Sequence, residues 1–168
     1  MRLHISGNNK GTSLIELIIA MAIAAIVLSM IMFLINVSSN NFRRTSNEVN
    51  LQMESQTAIN QISNLAMEAI EVTREVNGNI ERYIFENSDA DYYTIVFDAT
   101  EMELYQIGPT GFEEAKVAAY NKEVNLLAEY VDNFEINIAV KSVNIILTSA
   151  LGEDTFTVSK KVKLRNAK

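Results

Sequence analysis

From Leu17 to Ile35 the chain reads LIIAMAIAAIVLSMIMFLI, an apolar run in which Ser29 is the only polar side chain and neither glycine nor proline interrupts. As a helix rising about 1.5 Å per residue, such a run matches a hydrocarbon core about 30 Å thick. It predicts a membrane-spanning helix. A cleaved secretory signal carries a shorter apolar core, about 7 to 15 residues. No small-residue cleavage site follows the run either, where the sequence continues NVSSNNFRR. An uncleaved signal anchor accounts for it better. Basic residues do not orient that anchor, because Arg2 and Lys10 on one side are matched by Arg43 and Arg44 on the other.

A plain anchor leaves Glu16 unexplained, since it stands among Leu14, Ile15, Leu17 and Ile18. An acidic side chain at a helix centre costs about 2.5 to 3.5 kcal/mol on insertion scales, less near an end, and usually has a partner. A cut after Gly11 would create one. Thr12 would gain a free α-amino group four residues before Glu16 on the same helical face, and amine and carboxylate would neutralise each other in low dielectric.

The segment Lys10-Gly11-Thr12-Ser13-Leu14-Ile15-Glu16-Leu17, followed by the apolar run, resembles the class III signal of type IV prepilins and pseudopilins. The resemblance implies cleavage between Gly11 and Thr12 by a membrane prepilin peptidase and methylation of the new Thr12 amine. It implies that Glu16 pairs with the amine of an adjacent subunit during filament assembly. Its partners would be that peptidase, other pilin subunits and the pilus assembly platform. The place would be the bacterial cytoplasmic membrane, crossed once with the head outside, and then a pilus or pseudopilus at the cell surface. Thr12 stands where phenylalanine or methionine is more usual, and the helix lacks the proline that kinks many major pilins. The second departure leans toward a minor pilin or pseudopilin. The closing KKVKLRN and the earlier LLAEYVDNFEINI are similar to J-type pseudopilins and W-type minor pilins.

Composition narrows the chemistry. At 168 residues the chain fits one compact domain plus an extension, not a large multidomain enzyme. It has no cysteine, so no disulfide or thiolate metal site exists. Its one histidine, His4, lies ahead of Gly11, so a chain beginning at Thr12 has no imidazole for Ser-His-Asp chemistry or a histidine zinc site. Catalysis, a bound metal and a cofactor are therefore not expected. The formal charge of −7 becomes about −9 once Arg2 and Lys10 leave with a leader, which disfavours nucleic acid as a general partner.

The expected fold class is α+β and pilin-like: a long N-terminal helix, membrane-spanning in its first half, packed on a C-terminal antiparallel β-sheet head. The expected divisions are a leader at 1–11, a transmembrane and assembly helix at 12–37, an amphipathic helix continuing at 38–76, and a β-rich head at 77–168. Leu51, Ala58, Ile62, Leu65 and Ala69, widened by Ile59, Ala66 and Ile70, follow helical spacing toward about Val72. Asn77-Gly78-Asn79 then signals a stop and turn. Strands are expected at Glu81 to Glu86, Tyr92 to Asp98 and Glu101 to Ile107, the last two joined across Ala99 and Thr100. Gly108-Pro109-Thr110-Gly111 reads as a turn and Ala115 to Tyr120 as a further strand. Asn125 to Val131 reads equally as helical turn or strand. Phe134 to Val140 and Val143 to Thr148 should pair, and after a Gly152-Glu153-Asp154 turn Phe156, Val158, Val162 and Leu164 should share one face of a final strand.

Other candidate sites are less specific. Lys160, Lys161, Lys163, Arg165 and Lys168 form a candidate basic strip for DNA or another anionic surface, or else an edge strand whose lysines block aggregation. Asp89, Asp91, Glu113, Glu114, Glu153 and Asp154 offer oxygen ligands but lack EF-hand spacing. Tyr92, Tyr93, Tyr105, Tyr120 and Tyr130 read as core and rim aromatics. The rival to a filament subunit is a single-pass anchored protein whose head binds an extracellular ligand. The sequence does not choose among adhesion, motility, DNA uptake and type II secretion.

Overall fold

A computed structural model describes residues 14–120 and 125–164. The chain divides into two compact units, Met1–Arg43 and Arg44–Lys168. One helix, α1 (Leu14–Glu68), runs through both, as expected of a stretch from Thr12 to Asn77 without glycine or proline. In the first unit every described residue is exposed. The most apolar 18-residue window has a mean hydropathy of 3.0 and none of it is buried. That helix is long and apolar enough to cross a membrane.

In the second unit the helix changes character. Leu51, Ser55, Ala58, Ile59, Ile62, Ser63 and Ala66 are buried along one face, at the spacing of a 3.6-residue period. Two antiparallel sheets contribute to the core around this face. The larger has strand order β1 (Glu71–Asn77), β2 (Ile80–Glu86), β3 (Tyr92–Asp98), β4 (Glu103–Thr110) and β5 (Leu126–Ala128). The smaller has β6 (Val131–Ala139), β7 (Ser142–Leu151) and β8 (Asp154–Lys163). The arrangement is α+β and pilin-like, a long N-terminal helix packed on antiparallel β-sheet.

The principal core joins Ile59, Ile62 and Ala66 of α1 to Tyr83, Phe85, Ile95, Phe97 and Leu104 of the larger sheet and Phe134, Ile136, Ile145, Leu147 and Val162 of the smaller. Phe134 centres it, meeting Tyr83 edge-on at 5.4 Å and Phe97 at 6.2 Å between ring centroids. A register shift between Val131 and Asn133 lets both Val131 and Phe134 be buried. The opposite face of the larger sheet is also covered. Val96, Tyr105 and Ile107 form a second cluster with Ile80, Ala118, Tyr120 and Leu126. Burial on both faces explains why Thr94 to Asp98 is buried throughout instead of alternating.

Four expectations need correction. The helix does not reach Val72 or residue 76. It ends at Glu68, and Ile70 N–H already donates to Glu86 O at 2.7 Å. Val72, Thr73 and Val76 favour extended backbone, and the turn expected at Asn77-Gly78-Asn79 is present but closes a hairpin instead of ending a helix. Asn77 pairs with Ile80, leaving the two-residue loop Gly78-Asn79 with Gly78 at φ 62°, a position for which a first central glycine is suited. Such a turn requires a strand before it. Second, β4 continues through Gly108 and Pro109 to Thr110, which pairs with Tyr92. Glycine is required there because a Cβ on Gly108 would stand 2.6 Å from Tyr93 Cδ1.

Third, Ala115 to Tyr120 is not a strand. Phe112–Val117 forms the short helix α2, whose Glu114 reaches back to accept from Gly111 N–H at 3.4 Å. Fourth, the hairpin after β3 turns over Ala99 to Met102, not across two residues, because Asp98 pairs with Glu103. Asp98 Oδ1 accepts from the N–H groups of Thr100 and Glu101 and holds that loop. The ambiguous stretch from Asn125 resolves into β5, pairing Leu104 with Ala128.

Candidate functional site

Gly11 and Thr12, the expected cleavage pair, lie outside the described residues, as do Arg165 and Lys168. Glu16 stands in the first turn of α1 with its side chain exposed. A carboxylate there meets the positive end of the helix dipole, which partly offsets the cost of placing an acid beside apolar residues. The described helix continues without interruption from Glu16 through Ile35. Its exposed face therefore combines one acid near the N-terminus with a long apolar surface.

The candidate basic strip divides between the two faces of β8. Lys160 has the same parity as Phe156, Val158 and Val162 and so shares the face turned toward α1, where its Nζ donates to Asn60 Oδ1 at 2.9 Å. Lys161 and Lys163 take the other face, beside Asn144 and Ser142 of β7. The three lysines therefore do not converge on one surface.

The acidic candidates serve turns, caps and ion pairs. Asp89 and Asp91 donate their backbone N–H groups to Asn87 Oδ1, each at 3.0 Å. Glu113 pairs with Lys116 at 3.3 Å, and Glu114 caps α2. Asp154 accepts from Arg44 Nε at 3.0 Å, tying α1 to the start of β8 within the second unit. Among the described residues no three acids or histidines gather as a metal site would require.

Of the tyrosines, Tyr105 stacks on Tyr120 at 4.3 Å with the rings tilted by 35°. The Tyr120 hydroxyl donates to Asp98 Oδ2 at 2.6 Å, and that of Tyr105 to Glu103. Burial, followed by the bond to Asp98, pushes Tyr120 up to about 12. Burial also pushes Asp98 up, but the donors Tyr120, Thr100 and Glu101 together hold its carboxyl below the ordinary value. This constellation fastens the segment after α2 to the larger sheet.

Sequence reasoning missed the polar features that only tertiary placement creates. Ser55 Oγ and Ser149 Oγ lie 2.9 Å apart, both buried, and join α1 to β7. Glu54 accepts from Glu129 N–H at 3.4 Å, and burial holds its carboxyl above the usual range. The 3.6-residue period could have found Ser55 and Ser63, which an apolar stripe overlooks.

Residues 6–32 match the prokaryotic N-terminal methylation motif, a span that includes Gly11, Thr12 and Glu16. No curated protein and no solved structure matches the chain. The N-terminal segment is thus a type IV prepilin-like class III signal, and the motif with the apolar helix supports membrane anchoring of a pilin-like protein. Proteins with this motif are generally structural, processed by prepilin peptidase.

Proposed function

We propose that this chain is a minor pilin or pseudopilin, cut after Gly11, methylated at Thr12 and assembled into a type IV pilus-like filament. The observation that carries this reading is the methylation motif over residues 6–32 with Glu16 inside it. The mechanism has three steps. The apolar part of α1 stores the chain in the membrane with the head outside. Peptidase cleavage then creates a cationic amine at Thr12. On extraction, Glu16 pairs with the amine of the neighbouring subunit, neutralising both charges in a dry helical bundle and setting the register between subunits. The filament serves adhesion, motility, DNA uptake or type II secretion.

Intact-mass and N-terminal peptide analysis of the protein from native membranes, with and without prepilin peptidase, tests the first half. A methylated Thr12 terminus that depends on the enzyme is expected. A retained Met1 would leave the anchored extracellular binding protein as the account. Glu16→Ala tests the second half. Cleavage should persist while the chain in sheared filaments falls by roughly tenfold or more, consistent with losing a buried ionic partner.

A further inference from the structure

A groove in the second unit runs between α1 and the corner joining β5 to β6. Asn50, Met53, Glu54, Thr57, Leu127 and Tyr130 line about 490 Å³ of it. Two of its large side chains are exposed, Met53 at 65% and Tyr130 at 43%. Tyr130 holds a positive φ of 56°, which costs a bulky residue energy. Its surroundings enforce that conformation: Val131 N–H donates to Met102 O and Ala150 N–H to Tyr130 O, both at 2.8 Å. The ring is therefore held at the groove, beside an adaptable methionine, in the combination of anchors that favours protein contact. Glu54, which accepts from Glu129 N–H, sets a carboxylate in its lining.

The chemistry that fits is an apolar ring next to a cation, and this sequence carries that pair at Phe42 and Arg43. Phe42 is 75% exposed. Arg43 makes no ion pair among the described residues, whereas Arg44 holds both Glu48 and Asp154. We propose that the groove receives Phe42 and Arg43 of a second copy of this chain, with the ring against Met53, Leu127 and Tyr130 and the guanidinium beside Glu54. This inference rests on the filament reading above. Because groove and plug are different surfaces, the contact is heterologous and repeats along an open array. It places the chain in runs of its own kind, not as a lone cap.

The native chain has no cysteine, so Ser39→Cys, one helical turn before Phe42 and Arg43, and Thr57→Cys can be combined in the full-length protein without background and with both plug residues kept. Filaments sheared from cells are treated with a short bismaleimide. The double variant should give dimers and longer ladders, and each single variant none. Membranes from cells unable to assemble filaments should give no ladder from any variant. Filaments that contain the chain but yield no ladder, or only a dimer, would overturn the proposal and leave the filament reading standing. A chain cut at Gly11 but absent from filaments would remove both. In the cysteine-free chain, Arg43→Glu should lower filament-borne protein roughly tenfold, and adding Glu54→Lys should restore it. Failure to restore any would overturn the charge pairing.

Discussion

The two parts of α1 are built from one uninterrupted helical sequence yet meet opposite environments. From Leu14 to residue 43 every side chain is exposed, including Ile19, Ile26, Phe33 and Ile35. From Leu51 to Ala66 a stripe of small and branched residues is buried against the chain's own sheets. The apolar part is unburied among the described residues and is long and apolar enough to cross a membrane. In the proposed mechanism lipid, and later other subunits, supply the environment that β2, β3, β6 and β7 supply to the second part. The buried stripe uses Ser55, Ala58, Ser63 and Ala66, small residues that allow the sheets to approach closely.

The contrast predicts unequal responses to the same kind of truncation. Ile62, fully buried, should cost about 2 to 5 kcal/mol as Ile62→Ala, because the cavity adds to the lost transfer energy. Ile26, 55% exposed, should cost the head less than about 0.5 kcal/mol as Ile26→Ala. Thermal unfolding of the full chain in detergent micelles, followed by tyrosine fluorescence from the head, measures both. Equal losses would mean that the apolar part is stabilised by the head after all.

On the far face of the larger sheet, Asp98 and Tyr120 give a pH-dependent version of the same question, now within the head alone. Asp98→Ala should cost about 1.5 to 3 kcal/mol, the range for hydrogen bonds to a charged group. Because its folded carboxyl lies below the unfolded value near 3.9, its contribution is full above that value and is lost as pH falls through the folded one. Tyr120 has the opposite sign. Its hydroxyl is raised to about 12, so its contribution is full below the unfolded value near 10 and lost as pH rises through about 12. Urea unfolding across pH should show Asp98→Asn flattening the acid limb and Tyr120→Phe the alkaline one. Mutants that keep the wild-type slopes would show that neither group titrates with folding.

Within the buried stripe, Ser55 and Ser149 should behave as a coupled pair. Ser55→Ala alone leaves Ser149 Oγ buried without this partner, and a cost of about 1 to 3 kcal/mol is expected. Adding Ser149→Ala should cost less than the sum of the single changes. Strict additivity in chemical denaturation would mean that the two hydroxyls do not depend on each other.

These differences also mark what could be read without coordinates. The apolar run, the position of Glu16 and the helical period at Ala58, Ile62 and Ala66 were legible because each is a local pattern with one physical interpretation. β6, β7 and β8 were legible because Phe134, Ile136, Val143, Ile145 and Val162 alternate or share a face. β1 was hidden, since a glycine after an amphipathic stretch marks a helix stop and a hairpin equally well, and only pairing with β2 decides between them. α2 was hidden because six residues carry too little periodicity to compete with β-branched neighbours. The division of the lysines in β8 needed only parity, but a basic cluster invites being read as one surface. The groove at Tyr130 depends on a backbone conformation that no local pattern announces.

The smallest expected effect lies where the exposed part of α1 gives way to the packed part. Arg44 bonds Asp154 at 3.0 Å and Glu48 at 3.4 Å, but its side chain is 63% exposed. Solvent screening and side-chain entropy limit such pairs to about 0 to 1 kcal/mol. Arg44→Ala should therefore shift the urea midpoint only slightly at low salt, and the shift should vanish near 1 M salt, where the screening length is about 3 Å. A larger, salt-insensitive loss would mean that the arginine stem packs on the turn before β8 and that the buried stripe of α1 extends further toward the membrane than Leu51.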